Sequence, residues 1–378
     1  MITEYKYELG KLVTFVPNKR LPIYNWFYFK EGFSRDFVTL MFKQFKLEKG
    51  KCILDTFCGV GTSLLAAKEQ GINAFGVDAD PLFAFVSQVK TRNYELAKLK
   101  RVTRDLFSKE FKKPEIINAP PLIKKAFSKY ALEDVIFFKN HIGEIDDTIT
   151  RNFFTLALIV SAMQVSYAIK NGALIKFFKK PFPPLRKVFK NKIKRWIRQL
   201  EKAKFEVCET NVQVGDARGL KFLEDESFDA IITSPPYLNQ TEYIKAYAIE
   251  YALFFPRIKV DPITTYLGLN LQRKMEIFRD MDLPEVAKAY FFDIKLCLQE
   301  IFRVLNEGGK VALVVGDGVF PNQAKIIESG KLSARLAKEV GFEVEKIWIV
   351  NKRVVTRERT IKIGEAKESV IIMEKSIH

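Results

Sequence analysis

Residues 51–62, with the sequence KCILDTFCGVGT, decide the fold of this chain. The first five residues form a short, mostly apolar run bounded by a turn, as a buried strand does. Gly59 and Gly61 follow, and residues without a side chain let the backbone approach a ligand closely. From Thr62 the pattern is helical, which places a helix N-terminus, favourable to negative charge, behind the turn. A dinucleotide-binding turn would carry a third glycine where this chain has Leu64, which argues against NAD.

The same alternation continues on the C-terminal side of this turn. Asn73–Val77 has the composition of a second strand, and a strand–helix–strand order predicts a parallel sheet. Further strands and helices are predicted at 212–216, 228–233, 286–305, 309–315, 332–340, 343–350 and 369–373. We therefore predict one α/β domain in two halves, 1–95 and 205–378, interrupted by a mostly helical, lysine-rich insertion over 96–204.

Acidic residues follow two of the predicted strands. Asp78 ends the second strand, where an acid can accept hydrogen bonds from both ribose hydroxyls of a nucleoside. Its alternative role is a helix N-cap, because Asp80-Pro81 follows directly. Asp216 ends the third strand and could accept a hydrogen bond from an adenine amino group. Its alternative role is to cap the loop that follows.

The most specific motif is Thr233-Ser-Pro-Pro-Tyr237, which follows an apolar strand at 230–232. Two consecutive prolines fix φ and donate no N–H, so the turn is stiff and presents a carbonyl outward. The Ser234 hydroxyl and the Pro235 carbonyl form an acceptor pair suited to a substrate amino group. Tyr237 offers a flat face on which a base can stack. The alternative is a proline-rich surface loop.

Asp55–Thr62 followed by Thr233–Tyr237 resembles the amino-methyltransferases, which modify exocyclic amines of adenine or cytosine in DNA and RNA. The resemblance covers about residues 20–95 and 205–378. It implies the class I S-adenosylmethionine (SAM)-dependent methyltransferase fold, which is Rossmann-like with a seven-stranded sheet whose last strand is antiparallel. In the family, serine at the position of Ser234 is associated with cytosine N4 and aspartate with adenine N6, so cytosine is favoured.

The resemblance also implies roles for individual residues. Gly59 and Gly61 would line the methionine part of SAM, Asp78 would hold the ribose, and Asp216 with Ala217 the adenine. Residues 25–34 resemble the family's N-terminal SAM-contacting segment, although so aromatic a run could instead pack on the core. The full set of predicted cofactor residues is Lys30, Ser34, Asp55, Phe57, Gly59, Gly61, Thr62, Asp78, Asp216 and Ala217. The predicted catalytic residues are Ser234, Pro235, Pro236 and Tyr237.

Positive charge is concentrated in one part of the chain, whose formal net charge is +17. Residues 176–204 hold twelve lysines and arginines and one acid, Glu201, interleaved with aromatic residues that include Phe189 and Trp196. Such a pattern is typical of a surface that tracks phosphates and stacks bases. The alternative is a solvated helix whose aromatic residues face the core. The predicted nucleic-acid-binding residues are Lys176, Lys179, Lys180, Arg186, Lys187, Lys194, Arg195 and Arg198. The loop from Arg257 to Arg279 is a second candidate.

Composition excludes several other classes of protein. The chain has 4 cysteines, none in a CxxC pair, and 2 histidines, which predicts no metal site and a reducing compartment. Residues 1–10 lack the apolar segment of a signal peptide. The uncharged run Asn152–Ile169 is shorter than the ~20 residues of a membrane span. We therefore predict a buried helix there, no membrane partner and a cytoplasmic location.

Three functions remain open. The first is methylation of cytosine N4 in nucleic acid, and RNA, such as ribosomal RNA, is favoured over DNA because the insertion is small and the charge very high. DNA is the alternative, with cytosine N4 or adenine N6 as the target, because the motif order matches some restriction–modification enzymes. The second is methylation of protein glutamine, which the basic insertion and Ser234 argue against. The third is a non-catalytic nucleic-acid-binding module, which the intact motifs disfavour.

Overall fold

A central sheet of eight strands organises the molecule. The computed structural model describes residues 2–116, 119–171, 174–238, 243–258, 267–270, 278, 281–358 and 361–376. The strands are β1 (Ile2–Tyr5), β2 (Cys52–Asp55), β3 (Asn73–Asp78), β4 (Ala168–Asn171), β5 (Leu174–Phe177), β6 (Thr210–Val214), β7 (Phe228–Thr233), β8 (Leu305–Gly316), β9 (Gly318–Phe320), β10 (Lys325–Ile327), β11 (Phe342–Arg357) and β12 (Ile361–Lys375). The central sheet has the order β1-β11-β12-β8-β7-β2-β3-β6. The strand pairs β4–β5 and β9–β10 form two small antiparallel sheets.

The strand directions confirm the predicted Rossmann-like, class I methyltransferase fold. β12 runs antiparallel to both of its neighbours, whereas the other pairs of the central sheet are parallel. Seven strands match the expected sheet. β1 adds an eighth at the edge, a short and largely exposed strand that the sequence patterns did not indicate.

Helices cover the sheet and form the insertion. They are α1 (Arg35–Gln44), α2 (Thr62–Glu69), α3 (Pro81–Thr91), α4 (Leu96–Ser108), α5 (Pro121–Ala126), α6 (Lys129–Gly143), α7 (Thr148–Gln164), α8 (Leu185–Lys202), α9 (Tyr243–Ala246), α10 (Ala248–Phe254), α11 (Glu285–Val304) and α12 (Ser329–Val340). α4 to α8 and the β4–β5 hairpin lie between β3 and β6 in the chain, as the predicted insertion does. The division of function at residues 95 and 204 stays a prediction.

The insertion shares its core with the N-terminal segment. Trp196 of α8 stacks on Trp26 with ring centroids 4.3 Å apart, and Phe153 of α7 meets both rings edge-on. α7 is the helix predicted from the uncharged run, and most of its apolar residues are buried. Among the described helices, none combines the length and apolar character that crossing a membrane requires.

The hairpin of β11 and β12 extends beyond the sheet. The pairing of β12 with β8 ends at Glu368 opposite Gly316, but β11 and β12 remain paired as far as Arg357 opposite Ile361. Because β11 runs parallel to β8, this extension projects from the edge at which the parallel strands end. We call residues 351–357 and 361–367 the ribbon.

Candidate active site

The parallel strands end in polar residues at one edge of the sheet, where a cavity of about 240 Å³ opens. β3 ends at Asp78, Asp216 lies two residues beyond β6, and Ser234 directly follows β7. The carboxyl edge of an open parallel sheet is where such folds bind ligands. The predicted residues that line the cavity are Lys30, Phe57, Gly59, Asp78, Asp216, Ala217, Ser234, Pro235, Pro236 and Tyr237.

Asp78 is fixed by backbone donors. Gly59 N donates to its Oδ2 at 2.7 Å, and Asp80 N donates to its Oδ1 at 2.8 Å. A carboxylate oxygen accepts more than one hydrogen bond, so both oxygens keep capacity for ligand hydroxyls. Burial, and after it the charge of the neighbouring Asp80, raise the pKa of Asp78 to about 7. Gly59 has φ +49°, and an added Cβ would lie 3.0 Å from the Phe29 ring, so glycine is required there.

Asp80, and not Asp78, caps helix α3. Its Oδ1 accepts from Leu82 N at 2.9 Å and Phe83 N at 3.3 Å, and the Tyr251 hydroxyl also donates to it. Its Oδ2 is buried and finds no hydrogen-bond partner among the described residues. Because Asp80 lines the cavity, a buried acceptor is left there for a ligand donor. From the sequence, only a capping role is predicted for Asp80.

Asp216 is held by an arginine. Arg218 Nη2 lies 2.7 Å from its Oδ2, and Nη1 of the same guanidinium lies 2.9 Å from Asp293 Oδ2. The backbone N of Arg218 also donates to Asp216 Oδ1 at 2.9 Å, so the predicted capping of the following loop is present. The carboxylate of Asp216 is therefore oriented at the cavity wall beside the buried Ala217. Its predicted contact with adenine stays a proposal.

Asp55 lies behind the cavity wall. It is 1% exposed, and its Oδ1 accepts from the Thr233 hydroxyl at 2.7 Å and from Phe57 N at 3.2 Å. The Ser63 hydroxyl donates to its Oδ2. Burial outweighs the lowering effect of these donors, and the pKa of Asp55 is raised to about 6. Asp55 thus connects the glycine turn to Thr233, the residue before Ser234. The prediction that Asp55 contacts the cofactor is therefore wrong, because its side chain lies outside the cavity lining.

Three more predicted cofactor residues lie outside the cavity lining. The Ser34 hydroxyl accepts from Phe37 N as the N-cap of α1, and Ser34 is fully buried. Gly61 has φ +76° and precedes α2, and a Cβ there would lie 2.3 Å from the Ser87 hydroxyl oxygen. The Thr62 hydroxyl accepts from the Asn18 amide at 3.4 Å. These residues shape the turn and its supports, and the structure does not bring their side chains to the cavity.

The Ser-Pro-Pro-Tyr turn is anchored at its C-terminal half. The Tyr290 hydroxyl donates to the Pro236 carbonyl at 3.0 Å, and the Tyr237 hydroxyl donates to Glu368 Oε1 at 2.6 Å. Among the described residues, neither the Ser234 hydroxyl nor the Pro235 carbonyl has a hydrogen-bond partner. The turn therefore lines the cavity as a fixed wall with two available acceptors, in contrast to a proline-rich surface loop.

The cavity is rich in carboxyl groups. Besides Asp78, Asp80 and Asp216, it is lined by Glu31 of the N-terminal segment and Glu368 of β12, neither of which was predicted. Burial raises the pKa of both Glu31 and Glu368. Lys30 is the one lysine or arginine among the described lining residues. The excess of carboxyl groups suits a cationic ligand, and SAM carries a sulfonium and an ammonium group.

The basic segment divides into exposed cations and a buried face. The side chains of Lys176, Lys179, Lys180, Lys187, Lys194, Arg195 and Arg198 are exposed. Arg186 is half-buried, and its guanidinium carbon lies 5.2 Å from the centroid of the Phe138 ring. Phe189 and Trp196 are completely buried, so the prediction that they stack on bases is wrong and the alternative, a core face, holds. The loop from Arg257 to Arg279 lies mostly outside the described residues.

The chain is similar to known methyltransferases, although no family model matches it. Type II methyltransferase M.BsoBI from Geobacillus stearothermophilus is 24% identical over 97% of this chain and 88% of its own length. Type II methyltransferase M.AvaI from Nostoc sp. is 24% identical over 90% of this chain and 83% of its own. A putative sarcosine dimethylglycine methyltransferase structure from Galdieria sulphuraria aligns with 90% of this chain and 85% of its own, at 11% identity and a TM-score of 0.37.

Proposed function

We propose that this chain, a SAM-dependent amino-methyltransferase of nucleic acid, methylates N4 of cytosine in DNA. The observation that carries the proposal is the pair of available acceptors, the Ser234 hydroxyl and the Pro235 carbonyl, on a rigid turn at the wall of the cofactor cavity. The serine at this position favours cytosine over adenine through the family resemblance.

The residues of the turn act by positioning. The lone pair of a cytosine amine is delocalised into the ring, which makes N4 a poor nucleophile. Hydrogen bonds from the amine to Ser234 and Pro235 would localise that lone pair and aim it toward the cofactor. When bound, SAM supplies a methyl group on a sulfonium, which is already a good leaving group. Orientation therefore provides most of the acceleration, and no enzyme nucleophile is required.

The surrounding residues hold the turn and the cofactor. Asp78 would accept the ribose hydroxyls, and the unpartnered oxygen of Asp80 would accept a further donor of the adenosine or its solvent shell. Tyr237 is fixed by Glu368, so its ring is ready to face a base that has left the helix. Asp55 and Thr233 keep the cofactor turn and the substrate turn at a constant separation.

DNA is preferred over RNA because of the relatives. The preference for RNA rested on charge and insertion size, and it finds no support among the similar proteins. Those proteins are type II methyltransferases, the class found in DNA restriction–modification systems. Charge alone attracts either polyanion, since phosphate contacts carry no sequence information.

The exposed cations of α8 supply the first contact with the phosphate backbone. α4 packs along α8 with Lys100 paired to Glu201 and the Lys190 ammonium above the Phe107 ring, so the two helices run antiparallel. Arg101 and Arg104 of α4 are exposed, as Lys194 and Arg198 are, and we include all four in the proposed phosphate-binding surface. The insertion would thus hold the duplex while the sheet edge performs the chemistry.

A transfer assay with product identification tests the proposal. The protein would be given tritiated SAM with unmethylated genomic DNA, total RNA or a protein extract, and the products identified by nucleoside and peptide mass spectrometry. We expect label in N4-methyl-deoxycytidine. Label in N6-methyl-deoxyadenosine would retain DNA and revise the target base. Label confined to RNA or to glutamine would refute the proposal.

A further inference from the structure

The ribbon projects from the sheet beside the Ser-Pro-Pro-Tyr turn. Among the described residues that line the cofactor cavity, none belongs to the ribbon, and Glu368 directly follows it in β12. We propose that the ribbon binds the DNA duplex next to the target base, as a second contact surface separate from α8. This inference rests on the proposed function, since it names the part of the molecule that holds the substrate at the catalytic edge.

The charge of the ribbon suits a polyanion. Its residues include five cations, Lys352, Arg353, Arg357, Lys362 and Lys367, against one acid, Glu365, and a second acid, Glu358, directly follows β11. Lys352 and Lys367 are directly opposite each other in the ladder, and like charges in that position repel. Their ion pairs, to Glu365 at 3.4 Å and Glu328 at 3.5 Å, are long and solvent-exposed, so they offset the repulsion weakly. Among the described residues, Arg353 makes no ion pair.

A second cavity, of about 200 Å³, lies where the ribbon meets the catalytic turn. Tyr237, Asn351, Lys352, Arg353 and Lys367 are part of its lining. The two acids there are already engaged, because Asp317 accepts from Lys367 N and Ser329 N while Glu368 accepts from Tyr237. Tyr237 and Glu368 line both cavities, so the second cavity, which we call the basic pocket, adjoins the cofactor cavity across these two side chains. A phosphate in the basic pocket would therefore lie close to the base being modified.

The shape of the ribbon favours a duplex over a single strand. A two-stranded β-ribbon fits the major groove of B-DNA. Asn351–Arg357, at roughly 3.3 Å per residue, reaches about 20 Å beyond the end of β8. Val354 and Ile361 are each 57% exposed, which places apolar side chains among the cations. In the groove, such side chains can contact thymine methyl groups, whereas the cations contact phosphates.

The test removes two ribbon charges and measures binding to a fluorescent target duplex by anisotropy over a range of salt concentrations. In the double variant Lys352→Gln/Arg353→Gln we expect the duplex affinity to fall about tenfold at 0.1 M salt. The slope of log affinity against log salt should decrease by about 2, close to 0.9 per lost phosphate contact. SAM affinity and kcat at saturating DNA should stay within twofold of the wild type. The control is Lys43→Gln/Lys338→Gln, which removes the same charge from exposed lysines of α1 and α12.

The outcomes separate the two proposals. A ribbon variant that matches the control in affinity and salt slope, in a protein that still methylates DNA, overturns the ribbon inference and leaves the proposed function intact. Equal losses for duplex and single-stranded target would also overturn it, because the groove contact requires a duplex. A wild-type protein that methylates no DNA overturns the proposed function first, and the ribbon inference falls with it.

Discussion

The cofactor edge of the sheet and the basic face of α8 achieve binding in opposite ways. At the sheet edge, Asp78 is buried and held by two backbone donors before any ligand arrives. On α8, Lys194 and Arg195 are exposed and make no ion pair with the described residues. The first region is preorganised and selective, whereas the second offers charge that is sensitive to salt and tolerant of geometry. Mutations should therefore affect the two regions by different amounts and through different measured quantities.

The largest effect is expected from α8's buried face. Trp196→Ala should lower the free energy of unfolding by about 3–5 kcal/mol, because the side chain is completely buried against Trp26 and Phe153. Chemical denaturation measures this. Phe178→Ala is the control, since Phe178 is 55% exposed, and it should change stability by less than about 0.5 kcal/mol. A Trp196 variant with unchanged stability but reduced DNA affinity would restore the base-stacking role that the structure rejects.

Asp78→Ala should weaken SAM binding about a hundredfold. Two ribose hydroxyls would lose a charged acceptor, at about 1.5 kcal/mol for each hydrogen bond, the lower end of the range for bonds to charged groups. Isothermal titration calorimetry measures the dissociation constant, and Asp36→Ala on the exposed side of α1 controls for the loss of an acid. Unaltered affinity in the Asp78 variant would refute its assignment to the ribose.

Ser234→Ala should lower kcat about tenfold while SAM affinity stays constant, since one neutral hydrogen bond contributes about 0.5–1.5 kcal/mol. Single-turnover methylation of a duplex measures the chemical step. Ser227→Ala, directly before β7, removes a hydroxyl that bonds only nearby loop carbonyls and serves as the control. Turnover equal to that of the wild type would exclude the proposed contact with the substrate amine.

The smallest effect is expected from the exposed cations. Lys194→Gln/Arg198→Gln should raise the KM for DNA severalfold at moderate salt and reduce the salt slope by about 2. Arg186→Gln on the same helix should leave that slope unchanged, because its guanidinium packs over the Phe137 and Phe138 rings. Equal slopes in all three proteins would show that α8 does not contact phosphates.

Sequence reasoning succeeded where the signal is local. A few neighbouring residues specify the strands that end in Asp78 and Thr233, and the same is true of the glycine turn between β2 and α2. The positions of these elements and the sheet edge that they share could therefore be predicted. Glu31 and Glu368 could not, because they reach the cavity from distant segments that carry no motif. The buried face of α8 was present in the sequence, since Leu185, Phe189 and Ile193 repeat every four residues, a helical period. The charged residues between them instead favoured the interpretation that the aromatic residues of this segment stack on bases.

The length of the last two strands was also missed. The sequence predicts strands at 343–350 and 369–373, whereas the strands of the structure span Phe342–Arg357 and Ile361–Lys375. The additional residues pair outside the sheet, and such pairing depends on the partner strand rather than on burial. Charged residues in that extension resemble a loop when each is considered alone. Only their register across the hairpin shows them to be strand residues.

The high pKa of Asp78 links cofactor exchange to protons. With a pKa of about 7, the free enzyme holds roughly half a proton on this carboxyl at neutral pH. A cationic cofactor favours the ionised carboxylate, so its arrival expels that proton, and affinity should rise as pH increases through 7. The demethylated product has lost the sulfonium charge and gains less from the carboxylate. Mildly acidic pH should therefore lower the affinity for SAM more than the affinity for the demethylated product. Calorimetry in buffers of different ionisation enthalpy would count the protons released.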